Sequence, residues 1–506
     1  MKKSVSKNVM WAFSSQMVVL ISQFLVQMFF VRELSVAYVG ANGLFTNVIS
    51  ILSFAELGIG SALNFSLYEP ILEKNTKKIQ ALMKLYRNAY VLIGLVILVF
   101  GAVMVPFIPS LIAEKDSIPN VGGLFYLAVL GTAVSYFFNY SRAYLIANQE
   151  SWEDSKNRTI YKVVQTVAQI LILILWKRFD LFLIVPIITT VLSNLRIAHV
   201  AIKKAPFLKI KNVQSNVLTK SDFRSIKGNI AGSFSSRIGY VLVNGTDNIL
   251  ISKFIGLSVA GMYSSYLMIF QGINSILGQV HSSLIATIGS KAIQQNDQEK
   301  MELLKAYLFI NAVIVAAFSP AMIVFIQSFI RLWVGTKLEL PILIPILLTI
   351  NFALTQLRQP VLSMLSGMGL FWEMRYKSFA EAGVNLVVSL FLLTQTSLGV
   401  SAVILGTIAS NFLIDTIWEP VILFGKGIEH TPLPYIKNYL GYSVYLYSVI
   451  FISGLIVSEI GLTDILPAMF LAIGSAIFSV LLLVMLSWRT ESFKTVFRWM
   501  MRKEKS

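Results

Sequence analysis

A chain of 506 residues that is 56% hydrophobic and only 13% charged, with a mean hydropathy of +0.72, falls outside the range of water-soluble proteins, whose domains carry about 25% charged residues. The formal charge of +17 does not point to nucleic acid, because the basic residues sit between apolar stretches. The absence of cysteine excludes disulfides, thiolate metal sites and cysteine nucleophiles, and His199, His281 and His430 lie too far apart for a metal-ligand motif.

Lys2, Lys3 and Lys7 precede an apolar stretch from Val9 to Val31. A signal peptide has an apolar region of about 7–15 residues followed by a small-residue cleavage site; this stretch is longer and has no such site, so it reads as a retained first membrane helix. Crossing a bilayer takes roughly 20 mostly apolar residues, and about fourteen stretches qualify. After the first, their centres fall near residues 53, 100, 134, 167, 190, 241, 272, 315, 353, 385, 411, 447 and 476. The second, seventh and eighth are rich in Asn, Gln, Ser and Gly, which suits helices that face protein or a wet cavity.

Most of the 42 Lys and Arg fall in alternate connections, among them Lys203, Lys204, Lys209, Lys211, Lys220 and Arg224 between the sixth and seventh helices. The opposite connections hold only Arg32, Lys115, Lys177, Arg178, Lys253, Arg331 and Lys337. The positive-inside rule then places both termini in the cytoplasm, with anionic lipid as neighbour of the basic loops. Shifting the chain by 221 residues lays Asn8 on Asn229, Phe13 on Phe234, Ser14 on Ser235, Ser15 on Ser236, Arg32 on Lys253 and Gly40 on Gly261. Six helices separate the copies, so the repeat is parallel, and such transporters bind substrate between lobes. The expected fold is an all-α integral membrane protein of about 14 transmembrane helices: two six-helix lobes related by a parallel pseudo-two-fold repeat, plus two C-terminal helices. The expected domains are 1–210, a linker at 211–222, a second lobe at 223–430 and a C-terminal part at 431–506.

Charges inside spans are costly and are usually functional or paired. Arg237 lies ten residues into the seventh span, about 15 Å deep at 1.5 Å per residue. A guanidinium suits phosphate, so Arg237 is either an anion ligand or half of an ion pair with an acid elsewhere. Arg358, two residues before Pro360, is a second candidate anion ligand, and Arg142 is a third or else reaches for the interface. Asp415 and Glu419 stand one turn apart before Pro420. Like charges at that spacing repel, so they bind Na⁺, share a proton, or pair with Arg375 or Lys377. Glu56 joins them as a candidate for cation coupling. Gln16, Asn47, Asn244, Asp247, Asn248, Gln271 and Asn274 are candidate polar residues of a cavity, since amides and hydroxyls serve sugars as well as interhelical bonds.

Neither a metalloprotease nor a phosphate-loop motif is present, nor a histidine set against a nucleophile. No enzyme activity and no cofactor is expected, and any driving force comes from an H⁺ or Na⁺ gradient or from removal of product.

Asn8-Val9-Met10-Trp11-Ala12-Phe13, Leu57-Gly58-Ile59-Gly60-Ser61-Ala62, Asp247-Asn248-Ile249-Leu250-Ile251, Gly261-Met262-Tyr263-Ser264 and Leu332-Trp333-Val334-Gly335 together carry a family likeness. The chain resembles the polysaccharide-repeat flippases, the Wzx-type branch of the multidrug/oligosaccharidyl-lipid/polysaccharide exporter superfamily. The resemblance implies alternating access in the cell membrane and an undecaprenyl-pyrophosphate-linked oligosaccharide as substrate. It also implies a cationic cavity for the pyrophosphate, and a polysaccharide polymerase and glycosyltransferases as partners. Arg237 and Arg358 take the cationic role by depth and charge. Drug-exporting relatives keep an acid inside the first helix, where this chain has none before Glu33. A cation-coupled drug or metabolite exporter is the alternative. A membrane polysaccharide polymerase is a more distant one, because the external loops are short.

Overall fold

The computed structural model describes residues 2–56, 59–113, 118–137, 139–209, 217–220, 222–223, 245–292, 296–370, 373–461 and 463–503. All regular structure among them is helical. The chain divides into two compact units, Met1–Gly261 and Met262–Ser506.

The first unit contains α1 (Lys2–Glu33), α2 (Val36–Leu52), α3 (Ile59–Leu72), α4 (Thr76–Met104), α5 (Val121–Tyr136), α6 (Tyr140–Ala147), α7 (Ser151–Trp176) and α8 (Phe179–Lys204). A helical segment at 245–254 and the first turn of α9 (Leu257–Ala292) also belong to it. Its core is aromatic. Phe30 of α1, Phe45 of α2, Phe125 of α5, and Phe179 and Phe182 of α8 meet with ring centroids 4.7–6.3 Å apart, mostly in the edge-on geometry that ring quadrupoles favour.

The rest of α9 opens the second unit, followed by α10 (Asp297–Val334), α11 (Leu343–Gly367), α12 (Lys377–Gln395), α13 (Val400–Gly427), α14 (Leu433–Ile460), α15 (Ile465–Ser487) and α16 (Glu491–Lys503). α10 starts with a capping box. Asn296 accepts from the Glu299 N–H (2.9 Å), and Glu299 accepts from the Asn296 N–H (3.3 Å), satisfying two donors a helix start leaves open. α10 is the hub: 61% of its apolar window is buried, against 17% for α15. Leu304, Ala312, Val315 and Ile323 of α10 join Met364 of α11 and Leu446 and Ile450 of α14 in one core. On α15, Leu466, Phe470, Phe478, Leu481 and Met485 are each more than 60% exposed. Apolar surface on that scale fits hydrocarbon as the surrounding solvent.

Among the described residues nine helices are long and apolar enough to cross a membrane, or ten if α5 and α6, bent by 45°, form one span. The expected count of about fourteen is not confirmed among the described residues. The reasons are local. The second expected span breaks at a tight 3₁₀ turn, Ser53–Glu56, between α2 and α3. α9 and α11 are 36 and 25 residues long, but carry Gln271, Asn274, His281, Gln356 and Arg358. Most of the seventh lies outside the described residues.

Within the first unit, residues 36–40 cross residues 257–261 at backbone contact. A Cβ on Gly40 would lie 1.8 Å from the Leu257 carbonyl oxygen, and one on Gly261 would lie 2.6 Å from that of Val36. Adding 221 to Val36 and Gly40 gives Leu257 and Gly261, so the contact maps onto itself, as contacts between equivalent segments do.

Candidate functional site

Asn42, Thr46, Ser50 and Ser53 recur at helical spacing along one face of α2 and the turn after it. With Thr132 and Ser135 of α5, and Leu183 and Pro186 of α8, they wall a cavity of about 760 Å³ in the first unit, with Phe45 joining it to the aromatic core. Glu56 closes the polar row. Its Oε1 accepts from Tyr90 Oη of α4 at 3.0 Å, and its Oε2 accepts from Tyr136 Oη of α5 at 3.0 Å. Tyr86 Oη in turn donates to Tyr90 Oη at 3.2 Å. Gly60 makes this possible, since a Cβ there would come within 2.4 Å of Tyr90 Oη. The Gly-Ile-Gly run of the sequence thus leaves room for a tyrosine that braces the carboxylate.

The second unit holds a buried cluster of charge. Arg358 of α11 donates to Glu419 through Nε (3.2 Å) and Nη2 (2.5 Å) and to Asn411 through Nη1 (3.0 Å), and it also pairs with Asp415. Lys377 of α12 reaches Asp415 at 2.8 Å, Glu419 at 3.0 Å and Glu381 at 3.1 Å. Asn411 donates on to Asn351 (2.7 Å). Asp415 and Glu419 are fully buried. A π-turn at Asn411–Asp415 in α13 brings Asn411, Asp415 and Glu419 to the same neighbours, a helix irregularity frequent at functional sites. Two cations face three carboxylates, leaving one acid in excess.

The other sequence candidates fall as follows. The guanidinium of Arg358 faces carboxylates, so its charge is neutralised inside the second unit and does not present a free cation to an anion. Arg142 of α6 pairs with Asp154 (3.4 Å) and donates to Ser193 Oγ (3.0 Å) and Asn194 Oδ1 (2.9 Å). It is tied to α7 and α8. Of the two basic partners expected for Asp415 and Glu419, Lys377 fills the role, while Arg375 lies over the Tyr376 ring at 4.6 Å. Asp247 and Asn248 are buried and partnered. Asn274 accepts from Gln356 Nε2 (2.8 Å), and Gln356 in turn meets His281 Nε2 (3.1 Å). Gln271 is exposed on α9, and Gln16 is half-buried on α1. Asn47 lies on α2 outside the cavity lining. Arg237 and Asn244 lie outside the described residues.

Reading the sequence missed Tyr86, Tyr90 and Tyr136, and also Glu381. Tyr86 and Tyr90 sit at i, i+4, a usable signal, but nothing local ties either to Glu56.

No family model matches the chain, and no curated protein matches it. Solved structures do. A lipid II flippase, MurJ, in an inward closed conformation is 15% identical, with a TM-score of 0.66 over 95% of this chain and 98% of that one. A multidrug resistance MATE family transporter of the MOP superfamily is similar in its inward-facing conformation (18% identity, TM-score 0.62, 80% of this chain and 93% of that one). An outward-facing structure with the same description gives 15%, 0.52, 83% and 94%. At these identities the likeness establishes the fold: this chain has the helical fold of MATE and MurJ transporters.

Proposed function

We propose that this protein is a flippase that carries undecaprenyl-pyrophosphate-linked oligosaccharide repeat units across the cell membrane by alternating access, for synthesis of a surface polysaccharide. The supporting observation is coverage. A match over 95% of 506 residues cannot omit both α14, of 28 residues, and α15, of 23. The flippase therefore has a counterpart to at least part of that C-terminal pair, whereas the match to the MATE transporter, over 80% of the chain, can omit it. In this reading Arg237 is the pyrophosphate ligand, and the excess acid among Asp415, Glu419 and Glu381 holds the coupling H⁺ or Na⁺. Both termini are cytoplasmic. A cation-coupled drug exporter is the second reading, favoured by the carboxylate in the first unit's cavity.

Reconstitution decides between them. Proteoliposomes containing the protein should expose a fluorescent lipid-linked oligosaccharide to an external quencher faster than empty liposomes, and R237A should slow this without loss of folded protein. Cationic dye efflux with no movement of the glycolipid would replace the flippase with the exporter.

A further inference from the structure

The walls of the first unit's cavity have a one-sided hydrogen-bonding character. Thr46 Oγ1 donates to the Asn42 carbonyl (2.8 Å), Ser50 Oγ to that of Thr46 (2.8 Å) and Ser53 Oγ to that of Ile49 (2.9 Å). Across the cavity, Thr132 Oγ1 donates to the Ala128 carbonyl (3.2 Å) and Ser135 Oγ to that of Thr132 (2.7 Å). A carbonyl can only accept, so in this arrangement each hydroxyl gives its proton to its own helix and turns its lone pairs to the cavity. Glu56 adds a carboxylate, already held by two tyrosine donors. No Lys or Arg is among the lining residues described. Among the described lining residues, Asn42 alone offers N–H donors from its side chain.

A wall of acceptors with one negative charge repels phosphate, which is itself all acceptor, and suits a ligand rich in donors. An ammonium group, with three donors and no acceptor, is its complement. Size separates an organic ligand from a bare ion. A water-sized guest needs only about 10–15 Å³ of such space, whereas organic-ligand pockets span about 300–1,000 Å³, and this cavity has about 760 Å³.

We infer that this cavity binds a sugar residue bearing a free, protonated amine, with Glu56 as the ammonium ligand and the Thr46, Ser50, Ser53, Thr132 and Ser135 oxygens as acceptors for its hydroxyls. The inference rests on the flippase reading for the word sugar; the choice of an amine rests on the cavity alone. It assigns recognition of the glycan's positive charge to this cavity, through Glu56.

The test measures binding without transport. The full-length protein in nanodiscs is titrated with a glucosamine tetramer and with its fully N-acetylated counterpart, at a pH where the free amines are protonated. Tighter binding of the amine form by about ten-fold or more is expected, the size of one charge-assisted hydrogen bond. E56Q should erase that preference while leaving the N-acetylated glycan's affinity unchanged, which also certifies the fold, and E56D should retain much of it. T46K, at an exposed wall position, supplies the missing cation and should abolish the preference with Glu56 in place. Equal affinities in the wild type, or a preference that survives E56Q, would overturn the inference. Binding of Na⁺ alone that is lost in E56Q, with no preference between the glycans, would overturn it in favour of an ion site. An amine preference in a protein that moves no glycolipid would support the inference and remove the flippase reading.

Discussion

Arg358 is held by residues from another helix. A charge alone near the membrane centre costs about 2.5–3.5 kcal/mol on insertion scales; here five charges neutralise one another with one acid left over. Removing one member of a buried pair costs about 3–5 kcal/mol, because its partner stays buried and uncompensated. R358A should therefore lower the thermal midpoint of the detergent-solubilised protein markedly, and R358A/E419Q should recover part of the loss. An unchanged midpoint in R358A would mean that the cluster contributes little to stability. The presence of this charge was legible in the sequence, and its partner was not. Arg358 and Glu419 are 61 positions apart, and spacing along one helix reveals only neighbours within that helix. The pairing of Arg142 with Asp154 was hidden for the same reason: they come from different helices on either side of the 148–150 connection.

At the scale of elements, the crossing of residues 36–40 with 257–261 depends on two glycines. In a free helix, Gly→Ala gains up to about 1 kcal/mol. Here the sign should reverse, since a Cβ on Gly40 would lie 1.8 Å from a backbone oxygen that cannot turn away. G40A should reduce the yield of folded, monodisperse protein, and G261A should do the same through Val36. G278A is the control, at a glycine with open space around it. Full yield of G40A would show that the helices separate at little cost. The start of α10 offers a smaller effect: N296A removes an N-cap and should cost about 1 kcal/mol, read as a modest fall in the thermal midpoint. The sequence placed helices well wherever a long apolar run dominates, as in α4, α10 and α15. It placed the second span less well, because its polar residues read as a cavity-facing helix and gave no sign of the break at Ser53–Glu56. That break carries the carboxylate of the cavity.

For the whole molecule, an all-helical membrane fold was legible from composition, since only a bilayer accommodates so much apolar surface on helices. Two positions that the 221-residue shift lays on each other, Gly40 and Gly261, meet in the structure. Expectation and structure differ most over where positive charge serves. Arg142 and Arg358 answer carboxylates within their own units, and the cavity of the first unit is lined by acceptors. Transport of a lipid-linked oligosaccharide is tested by the sidedness of that glycolipid in cells lacking the protein. Spheroplasts are treated with a membrane-impermeant reagent that modifies exposed sugars, and the glycolipid is then extracted and weighed. Cells without the protein should accumulate lipid-linked repeat units shielded from the reagent, and restoring the wild-type gene should return them to the outer surface. Glycolipid that is modified to the same extent with and without the protein would mean that the protein does not carry it across the membrane.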